Sequence, residues 1–439
     1  MNVAVVGGGV IGLAAAWSLA RRGAGVTVIE RDRCGAGASA GNAGWVTPGL
    51  SAPIPAPGVM RQAARWMLDG ESPLLVRPRP SLDFLRWSLR FARSCRPGAH
   101  SAGTAATLAL ARDTPALFDL LAEEGVAFEM HEDGLLYLVR APEGIDEWLE
   151  AYEVLREMGF DGEVTPLDRN GVLEIEPAAG EAVACGLLAR RERHVRPETL
   201  TAGLVDDLAR RGARIAEGVA VERIAPAARP GAGWRIETRD GALDADRVVV
   251  AAGVWSAELL RGCGVRVPLE AAKGYSVTAP GPDPLPRRPL YLTEAKTGAS
   301  PFADGSLRLA GTLELAGIDL GLNARRVAAV ARAASGYLRD WAPGEARRDW
   351  CGLRPLPPDG LPVVGEARPG LFVATGHAML GVTLAPATGE ALAPAVLGEA
   401  HAPALGGLSP ARFDRNARTN GEVGRWEHEG HESPVAVGR

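Results

Sequence analysis

Lysine is almost absent from this chain, because only two of its 48 basic residues, Lys273 and Lys296, are lysines. A GC-rich coding sequence, which also favours alanine, glycine and proline, explains this bias better than a functional use of arginine. Cysteine is scarce too: there are five, an odd number, without a C-x-x-C motif or a Cys/His cluster. The sequence therefore predicts neither a disulfide framework nor a metal site, and it fits a reducing, cytoplasmic compartment.

Long membrane-spanning runs and an excess of basic charge are also missing. The formal net charge is −5, so no general affinity for nucleic acid is expected. Residues 1–20 carry no charged side chain, but their glycines would make a poor spanning helix and no basic stretch precedes them. Hydrophobic residues make up 46% and charged residues 23% of the 439 residues, which indicates an ordinary globular protein of about two domains.

A glycine pattern near the N-terminus is the most informative motif. Gly7, Gly9 and Gly12 fill the pattern G-x-G-x-x-G, and Val10 and Ile11 lie between the last two. An apolar strand pattern precedes the glycines, and a helical pattern and a second apolar strand follow, at residues 3–6, 13–22 and 26–29. A glycine-rich turn without a ligand is the alternative interpretation. The complete strand, turn, helix and strand context favours a dinucleotide-binding unit.

Each part of this unit has a physical role in such a site. Gly7 permits the tight turn, Gly9 lets the backbone approach the pyrophosphate, and Gly12 lets helix and strand pack closely. The free N–H groups and the dipole of the helix N-terminus favour phosphate. Glu30 ends the second strand, where its carboxylate can accept hydrogen bonds from ribose hydroxyls and would repel a 2′-phosphate. Arg31 follows it and is a further candidate cofactor residue.

The rest of the chain adds strands of two kinds. Apolar runs at residues 247–251 and 371–375 are typical of further parallel strands, whereas residues 269–315 indicate antiparallel strands without long helices between them. The prediction is an α/β protein with a Rossmann-like nucleotide-binding domain and a second, α+β substrate domain that contains an antiparallel sheet. The first domain is expected at 1–75, 194–268 and 346–402, the second at 76–193 and 269–345, and a loosely ordered tail at 403–439.

Helical patterns are predicted at residues 81–93, 104–124 and 144–158, and the first of these helices is amphipathic. An apolar stripe and a basic face recur at helical spacing, formed by Phe84, Trp87 and Phe91 and by Arg86, Arg90 and Arg93. A basic amphipathic helix can lie on a membrane surface. The favoured interpretation is a helix that packs on its own domain with a solvated arginine face, and a weak contact with the inner face of a membrane stays open.

Four segments in the remaining sequence share short motifs with a known family. They are S-x-x-N-A-G-x-x-x-P-G at 39–49, A-x-G-x-W-S at 251–256, K-G-Y-S at 273–276, and G-L-R-P, P-D-G-x-P and G-H within 352–377. With the first fingerprint, these segments resemble the FAD-dependent amino-acid dehydrogenases and oxidases of the D-amino-acid-oxidase superfamily. The nearest resemblance is to the D-amino-acid dehydrogenase small-subunit group, and it extends from the start of the chain to near residue 400.

The resemblance implies FAD as the cofactor. Besides the residues of the first unit, it assigns to the cofactor Ser39, Asn42, Ala43, Gly44, Val221, Ala252, Gly253, Trp255, Gly376, His377 and Gly381. Small residues among these would let the cofactor approach the backbone, and the dipole of the last helix would stabilise an anionic reduced flavin. For His377 a positional role is favoured over that of a base.

Arg354 is the predicted substrate residue. A planar guanidinium meets the carboxylate of an amino acid with two parallel hydrogen bonds. Most arginines are solvated surface charges, and the place of Arg354 in G-L-R-P, before the P-D-G loop, favours the functional interpretation. Tyr275 and Tyr291 are candidates to hydrogen-bond the carboxylate or close the pocket, and a buried core tyrosine with a satisfied hydroxyl is an equal alternative for each.

The reaction implied by the resemblance is oxidative deamination of a D-amino acid to a 2-oxo acid and ammonia, by hydride transfer from the substrate Cα to flavin N5. Dehydrogenation of D-proline or hydroxyproline and oxidation of glycine or sarcosine are alternatives. The electron acceptor stays open between a quinone, a carrier and oxygen. An alternative of another class is a flavin-bearing subunit that is inactive without a partner chain, whereas the net charge argues against an RNA-modifying flavoenzyme.

Overall fold

The structure is a computed structural model that describes residues 1–67, 72–77, 79–227, 233–400 and 402–414. Strands account for much of these ranges. In chain order the strands are β1 (Asn2–Val6), β2 (Gly25–Ile29), β3 (Trp45–Val46), β4 (Leu74–Val76), β5 (Met130–His131), β6 (Leu135–Val139), β7 (Val164–Asp168), β8 (Cys185–Ala189), β9 (Arg193–Val195), β10 (Arg214–Ala216), β11 (Val221–Pro226), β12 (Trp234–Thr238), β13 (Gly241–Ala245), β14 (Arg247–Val250), β15 (Glu270–Pro280), β16 (Leu290–Leu292), β17 (Thr297–Pro301), β18 (Ser306–Leu315), β19 (Arg348–Leu356), β20 (Val363–Arg368) and β21 (Leu371–Thr375).

The helices lie between these strands in the sequence. They are α1 (Val10–Arg21), α2 (Val59–Trp66), α3 (Leu82–Ser94), α4 (Pro97–Ala111), α5 (Thr114–Glu123), α6 (Gly144–Glu157), α7 (Arg169–Ile175), α8 (Pro197–Arg210), α9 (Ser256–Gly262), α10 (Ala324–Arg332) and α11 (Gly381–Leu397). Short 3-10 helices occur at Pro48–Leu50, Gly253–Trp255, Pro403–Leu408 and Pro410–Phe413.

A six-stranded sheet forms the nucleotide-binding part, in the order β10-β2-β1-β14-β21-β20. Its first five strands run parallel, and four of them, β1, β2, β14 and β21, were predicted from their apolar runs, whereas the edge strand β20 is antiparallel to β21. Helices α1, α8 and α11 pack on one face, and the three-stranded sheet β11-β12-β13 and α9 cover the other. The central strands are apolar at successive positions because both faces are buried.

A larger, mixed sheet forms the second part, in the order β19-β15-β18-β17-β16-β6-β8-β7, with β4 paired to the end of β18. Most of its neighbouring strands are antiparallel, whereas β16 and β6 run parallel. Helices α7 and α10 pack against one core and α6 against another. The predicted fold class is confirmed, while the domain boundaries stay predictions.

Two local predictions are corrected by the structure. The helix expected over residues 104–124 is two helices, α4 and α5, because Pro115 lies in the first turn of α5 and cannot continue the hydrogen bonds of a preceding helix. In the predicted loose tail, residues 403–414 form two short helices whose Leu405 and Leu408 are buried in the main core. Residues 415–439 lie outside the described residues.

Candidate cofactor and substrate site

One continuous cavity of about 1400 Å³ joins the two sheets. It begins at the carboxyl ends of β1 and β2, where parallel sheets bind ligands, and extends across the large sheet to β16. All but three of the predicted site residues line it: Gly7, Gly9, Val10, Ile11, Glu30, Arg31, Ser39, Asn42, Ala43, Val221, Ala252, Gly253, Trp255, Tyr275, Tyr291, Arg354, His377 and Gly381. The fold thus brings distant sequence positions around one space.

The three exceptions, Gly12, Gly44 and Gly376, lie behind the cavity wall. An added Cβ would lie 2.0 Å from the carbonyl oxygen of Gly7 at Gly12, and 1.9 Å from that of Val195 at Gly44. Gly44 and Gly376 also have φ angles of +79° and +78°. Glycine is therefore required at these positions for packing and backbone conformation, and direct contact with the cofactor stays a prediction for them.

The N-terminus of α1 faces the cavity. Gly9 is its N-cap and provides no side chain to satisfy the first N–H groups, although the Val10 N–H donates to Ser39 Oγ at 3.0 Å. A Cβ on Gly9 would meet only Ser39 Oγ, at an ordinary contact distance of 3.6 Å, so no backbone atom crowds this side of Gly9. Uncapped N–H groups and the helix dipole make this end of α1 suitable for an anion such as a pyrophosphate.

Glu30 and Arg31 lie at the same end of the cavity. The Glu30 carboxylate accepts hydrogen bonds from the N–H groups of Gly8 and Asp32, at 2.7 and 3.0 Å. The Arg31 guanidinium lies 3.6 Å from the ring centroid of Trp255. Each oxygen of Glu30 keeps a free lone pair, so the backbone positions a carboxylate that can still accept from ribose hydroxyls.

Arg308 of β18 holds the loop 39–47 against the large sheet. Its side chain is 2% exposed, and one terminal nitrogen donates to the carbonyl oxygens of Ala40 and Asn42, at 3.3 and 2.9 Å. The other pairs with Glu198 of α8 at 2.5 Å. One buried guanidinium therefore fixes the loop that carries the predicted flavin contacts.

Two hydroxyl groups fix the same loop from other directions. Ser300 of β17 donates to the carbonyl oxygen of Ala43 at 2.7 Å. Thr383, in the first turn of α11, donates to the carbonyl oxygen of Trp45 at 2.9 Å and accepts the Thr47 N–H at 3.2 Å. The loop is thus fixed between the large sheet and α11.

The N-terminus of α11 also faces the cavity, through Gly381, Val382 and Thr383. The N-cap residue, Leu380, provides no side-chain hydrogen bond to this 17-residue helix. Free N–H groups and the positive end of the dipole consequently point into the cavity at a second place. This arrangement suits a group that carries or develops negative charge.

His377 is held as a neutral imidazole beside α11. It is 3% exposed, its Nε2 lies 2.9 Å from the hydroxyl of Thr388, and burial lowers its pKa to about 3. Nδ1 is buried and has no hydrogen-bond partner among the described residues. A neutral ring tied to the middle of α11 suits a positioning role, as expected for His377.

Arg354 projects from β19 into the cavity as a cation without a counter-ion. One terminal nitrogen donates to the carbonyl oxygen of Thr312 at 2.9 Å. Burial lowers the pKa of Arg354 to about 10, and no carboxylate of the described residues offsets that loss of hydration. Since the group is still protonated at neutral pH, its buried charge favours an anionic ligand.

Glycines on the neighbouring strand leave room for this guanidinium. A Cβ on Gly274 of β15 would lie 2.3 Å from the Arg354 Cζ and from both terminal nitrogens. On the other side, Thr312 lies where the pairing of β15 and β18 shifts register, and it has a φ of +61°. The guanidinium therefore lies across Gly274 and is held by a carbonyl group of an irregular strand segment.

The structure corrects the prediction for Tyr275. Although part of this residue borders the cavity, its side chain is 1% exposed and packs with Val327 of α10, and its hydroxyl donates to the buried Glu314 at 2.7 Å. Successive side chains of a strand point to opposite faces, so Tyr275 points away from the face on which Gly274 supports Arg354. Its hydroxyl belongs to the core and is not available to a substrate carboxylate.

Tyr291 lies at the far end of the cavity. Its half-buried ring meets those of Trp45, Tyr137 and Trp148 edge-on, with centroids 5.6, 5.6 and 5.3 Å away. Burial raises its pKa, and its hydroxyl has no hydrogen-bond partner within the described part of the chain. Tyr291 stays a candidate for closing the pocket.

A comparison with protein families settles the class of this site. Residues 2–395 match the model of a family described as FAD dependent oxidoreductase. The chain belongs to this family. The cofactor of the protein is FAD, and the protein is an oxidoreductase.

Relatives and solved structures of this family are similar to the chain over nearly its whole length. A D-amino acid dehydrogenase of Methylobacterium nodulans is 36% identical and covers 94% of this chain and 99% of the relative. A D-amino acid dehydrogenase of Cereibacter sphaeroides is 34% identical and covers 95% and 97%. The crystal structure of glycine oxidase from Geobacillus kaustophilus has a TM-score of 0.74 at 27% identity and covers 94% and 98%.

The geometry of the cavity fits FAD in this oxidoreductase. An elongated dinucleotide needs a long space that accepts negative charge at its pyrophosphate. Near one end of this cavity, Gly9 leaves the backbone accessible and the N-terminus of α1 is uncapped. A second uncapped N-terminus, that of α11, faces the cavity farther along. The described residues contain no cluster of three or more potential metal ligands, and none of their helices is long and apolar enough to cross a bilayer.

Several residues that shape the site had no clear signal in the sequence. They are Gly274, Lys296, Arg308 and Thr312. Gly274 lies within the K-G-Y-S motif, and a glycine inside a strand is a signal that another group approaches the backbone closely. Arg308 and Thr312 belong to no motif, because their roles depend on the register of β18 with its neighbours.

Proposed function

We propose that this oxidoreductase oxidatively deaminates D-amino acids, giving the 2-oxo acid and ammonia. The observation that carries the proposal is the guanidinium of Arg354, which pairs with no carboxylate of the described residues and lies on Gly274 in the same cavity as the nucleotide-binding loop. A guanidinium binds the carboxylate common to all amino acids through two parallel hydrogen bonds. The relatives named D-amino acid dehydrogenase support the D configuration.

In this proposal the chain holds FAD along the cavity. Gly9 and the N-terminus of α1 bind the pyrophosphate, and Glu30 binds the ribose hydroxyls. The loop 39–43 and the N-terminus of α11 contact the flavin ring, where the helix dipole favours negative charge. FAD supplies the hydride-accepting chemistry when bound.

The substrate amine binds in its neutral form. Among the described residues, the acidic side chains that line the cavity are Glu30, Asp32, Glu222 and Glu258, all near the nucleotide end. His377 is neutral and bonded to Thr388, so it is not placed as a base. Arg354 therefore orients the Cα–H bond, and the aromatic side chains around Tyr291 exclude water from it.

Anaerobic mixing of the holoenzyme with D- and L-amino acids tests the activity. We expect D-amino acids to bleach the flavin absorption and L-amino acids to leave it unchanged. Arg354→Lys should keep the flavin and weaken amino-acid binding by about 10- to 100-fold, because the two-pronged contact is lost. Bleaching by L-amino acids alone, or unchanged kinetics in Arg354→Lys, would contradict the proposal.

For the electron acceptor we infer a lipid-soluble quinone. Beyond the predicted FAD contacts the cavity extends between α2, β4 and α3, where its lining is apolar and includes Val59, Ala63, Trp66, Leu74 and Phe91. Such a lining favours a hydrophobic acceptor over a charged carrier. Reoxidation of the reduced enzyme by a soluble quinone should be much faster than by oxygen, and rapid formation of hydrogen peroxide would instead identify an oxidase.

We also propose a weak contact with the inner face of a membrane, which would bring the enzyme to such an acceptor. The Phe84, Trp87 and Phe91 stripe of α3 packs on its own domain, with Trp87 5% exposed. Large apolar side chains are exposed on or beside α2, on α3 and in the segment after β18, namely Met60, Met67, Leu82, Leu85, Leu89, Ile318, Leu320 and Leu322. Residues 59–94 contain seven arginines and three acidic residues in a chain of net charge −5. An apolar surface with basic surroundings suits an anionic bilayer.

Vesicle flotation tests this contact. The holoenzyme should float with phosphatidylglycerol vesicles but not with phosphatidylcholine vesicles, and high salt should release it. The double variant Leu85→Glu/Leu89→Glu should stay in solution, whereas Val154→Glu, at an exposed apolar residue of α6, should bind as the wild type does. Equal binding of all three proteins would rule out the α3 surface.

A further inference from the structure

A second cation, besides Arg354, lines the substrate end of the cavity. Lys296 lies in the turn between β16 and β17, and its ammonium is 5.3 Å from the ring centroid of Trp148. The other lysine, Lys273, is paired with Asp319, whereas Lys296 forms no ion pair with any carboxylate of the described residues. Lys296 also has a φ of +48°, a conformation in which glycine or asparagine is the usual residue.

Trp148 belongs to a group of aromatic residues on the cavity side. Trp45, Trp148, Tyr152 and Tyr291 line this part of the cavity, which we call the aromatic wing. The hydroxyl of Tyr291 has no partner among the described residues. Among the described residues no acidic side chain lines this part of the cavity, and the nearby acids Glu147 and Glu192 act on Tyr291 and Tyr152 from outside it.

A path of small residues joins Arg354 to the aromatic wing. Gly274, Ala310 and Gly298 lie on the same face of the successive strands β15, β18 and β17, and Tyr291 lies opposite Gly298 on β16. All three small residues line the cavity, and the indole of Trp45 lies over Gly298, where a Cβ would be 2.5 Å from it. Neighbouring strands are about 4.8 Å apart, which puts roughly 14 Å between β15, over which the guanidinium lies, and β16. An extended substrate side chain and the flexible lysine side chain together can cover that distance.

We infer that Lys296 binds a carboxylate at the end of the substrate side chain and makes the enzyme selective for acidic D-amino acids such as D-glutamate. This inference rests on the proposed function and names its substrate class. Arg354 binds the α-carboxylate, and Lys296, with its hydration reduced by Trp148, forms a charge-assisted hydrogen bond with the distal one. The amide of D-glutamine has the same shape but no charge, so it binds Lys296 more weakly.

Flavin bleaching by D-glutamate and D-glutamine under anaerobic conditions tests the inference. In the wild-type holoenzyme we expect half-saturation at a concentration at least about tenfold lower for D-glutamate. Lys296→Met should raise the D-glutamate value about tenfold and leave that of D-glutamine unchanged, and Lys296→Arg should keep the preference. Arg354→Lys is the control that weakens both substrates by the same factor.

A binding measurement separates this inference from the proposed function. Glutarate should perturb the flavin absorption at a lower concentration than butanoate, and Lys296→Met should remove the difference, whether or not any amino acid is oxidised. If D-glutamine bleaches the flavin as readily as D-glutamate does, or if glutarate binds no better than butanoate, the role of Lys296 is wrong. If no D-amino acid bleaches the flavin and glutarate still prefers the wild type, only the proposed function fails.

Discussion

At the scale of single residues, the substrate site depends on which neighbours a side chain has across the sheet. The roles of Gly7 and Gly9 could be predicted because a local pattern of strand, turn and helix defines them. The contact of Gly274 with Arg354 could not, because it arises from the register between β15 and β19. The same register turns Tyr275 to the opposite face, and for this reason the prediction of its role was wrong.

Gly274→Ala tests whether the guanidinium needs the space above this glycine. The new Cβ would overlap the guanidinium of Arg354, which must leave its place on β15. We expect an unchanged flavin content and a loss of affinity for carboxylates of about tenfold or more, as for Arg354→Lys. Titration with butanoate, followed through the flavin absorption, measures this affinity for carboxylates. Gly98→Ala, where a Cβ meets nothing within 4 Å, is the control and should bind as the wild type does.

Glu192 is predicted to make the stability of the protein depend on pH. The residue is 2% exposed, one oxygen accepts the Gly49 N–H at 2.8 Å, and the other has no partner among the described residues. Burial raises its pKa from 4.5 to about 8. Between these values the unfolded chain releases a proton that the folded protein keeps, so this contribution to stability is fully present below pH 4.5 and is lost as pH rises to about 8.

Glu192→Gln removes this titration and keeps an oxygen for the Gly49 N–H. We expect the variant to be more stable than the wild type by about 1–3 kcal/mol at pH 8 and no more stable at pH 4.5. Thermal unfolding of the two proteins at both pH values measures the difference. A stability difference that does not change with pH would show that Glu192 is ionised in the folded protein at neutral pH.

At the scale of elements, periodic patterns predicted which segments are helical better than they predicted what each face of a helix contacts. Helix α3 was predicted from its Phe84, Trp87 and Phe91 stripe, which packs inward as favoured. The exposed leucines 82, 85 and 89 follow the same helical period on another face. The prediction used only the stripe that packs inward, so it did not include this apolar face. The strands β19 and β20 were not predicted as strands, because glycine and proline interrupt their apolar pattern. Only short motifs were recognised in this part of the sequence.

The loop 39–47 and strand β18 form one unit through Arg308. Arg308→Met keeps the aliphatic stem but removes the donors to Ala40 and Asn42 and leaves Glu198 without its partner. We expect the dissociation constant of FAD to rise on the order of tenfold, because the loop no longer holds one conformation before binding. Quenching of FAD fluorescence on binding measures this dissociation constant. Arg235→Met, which removes an exposed pair with Asp244, should leave the constant unchanged.

At the scale of the whole molecule, the fold class followed from the separate apolar strands, whereas the closeness of the two sheets around one cavity did not. Residues 6, 42, 253 and 381 meet at the cavity although they come from distant parts of the chain. Hydrophobic patterns state which strands are buried, not which of them become neighbours. The resemblance to known enzymes identified FAD as the cofactor. Only the three-dimensional arrangement showed which residues surround the cavity.

A ligand bound across this cavity should stabilise the protein as a whole. Binding to the folded state alone adds about 2.7 kcal/mol when free FAD is a hundred times its dissociation constant. The unfolding temperature of the apoprotein should therefore rise with FAD concentration. Gly9→Val separates cofactor binding from folding: Gly9 has an ordinary φ of −72°, and its Cβ would meet only Ser39 Oγ, at an ordinary contact distance of 3.6 Å. The variant apoprotein should unfold near the wild-type temperature yet gain nothing from FAD, and a wild-type gain would contradict the role of Gly9 in pyrophosphate binding.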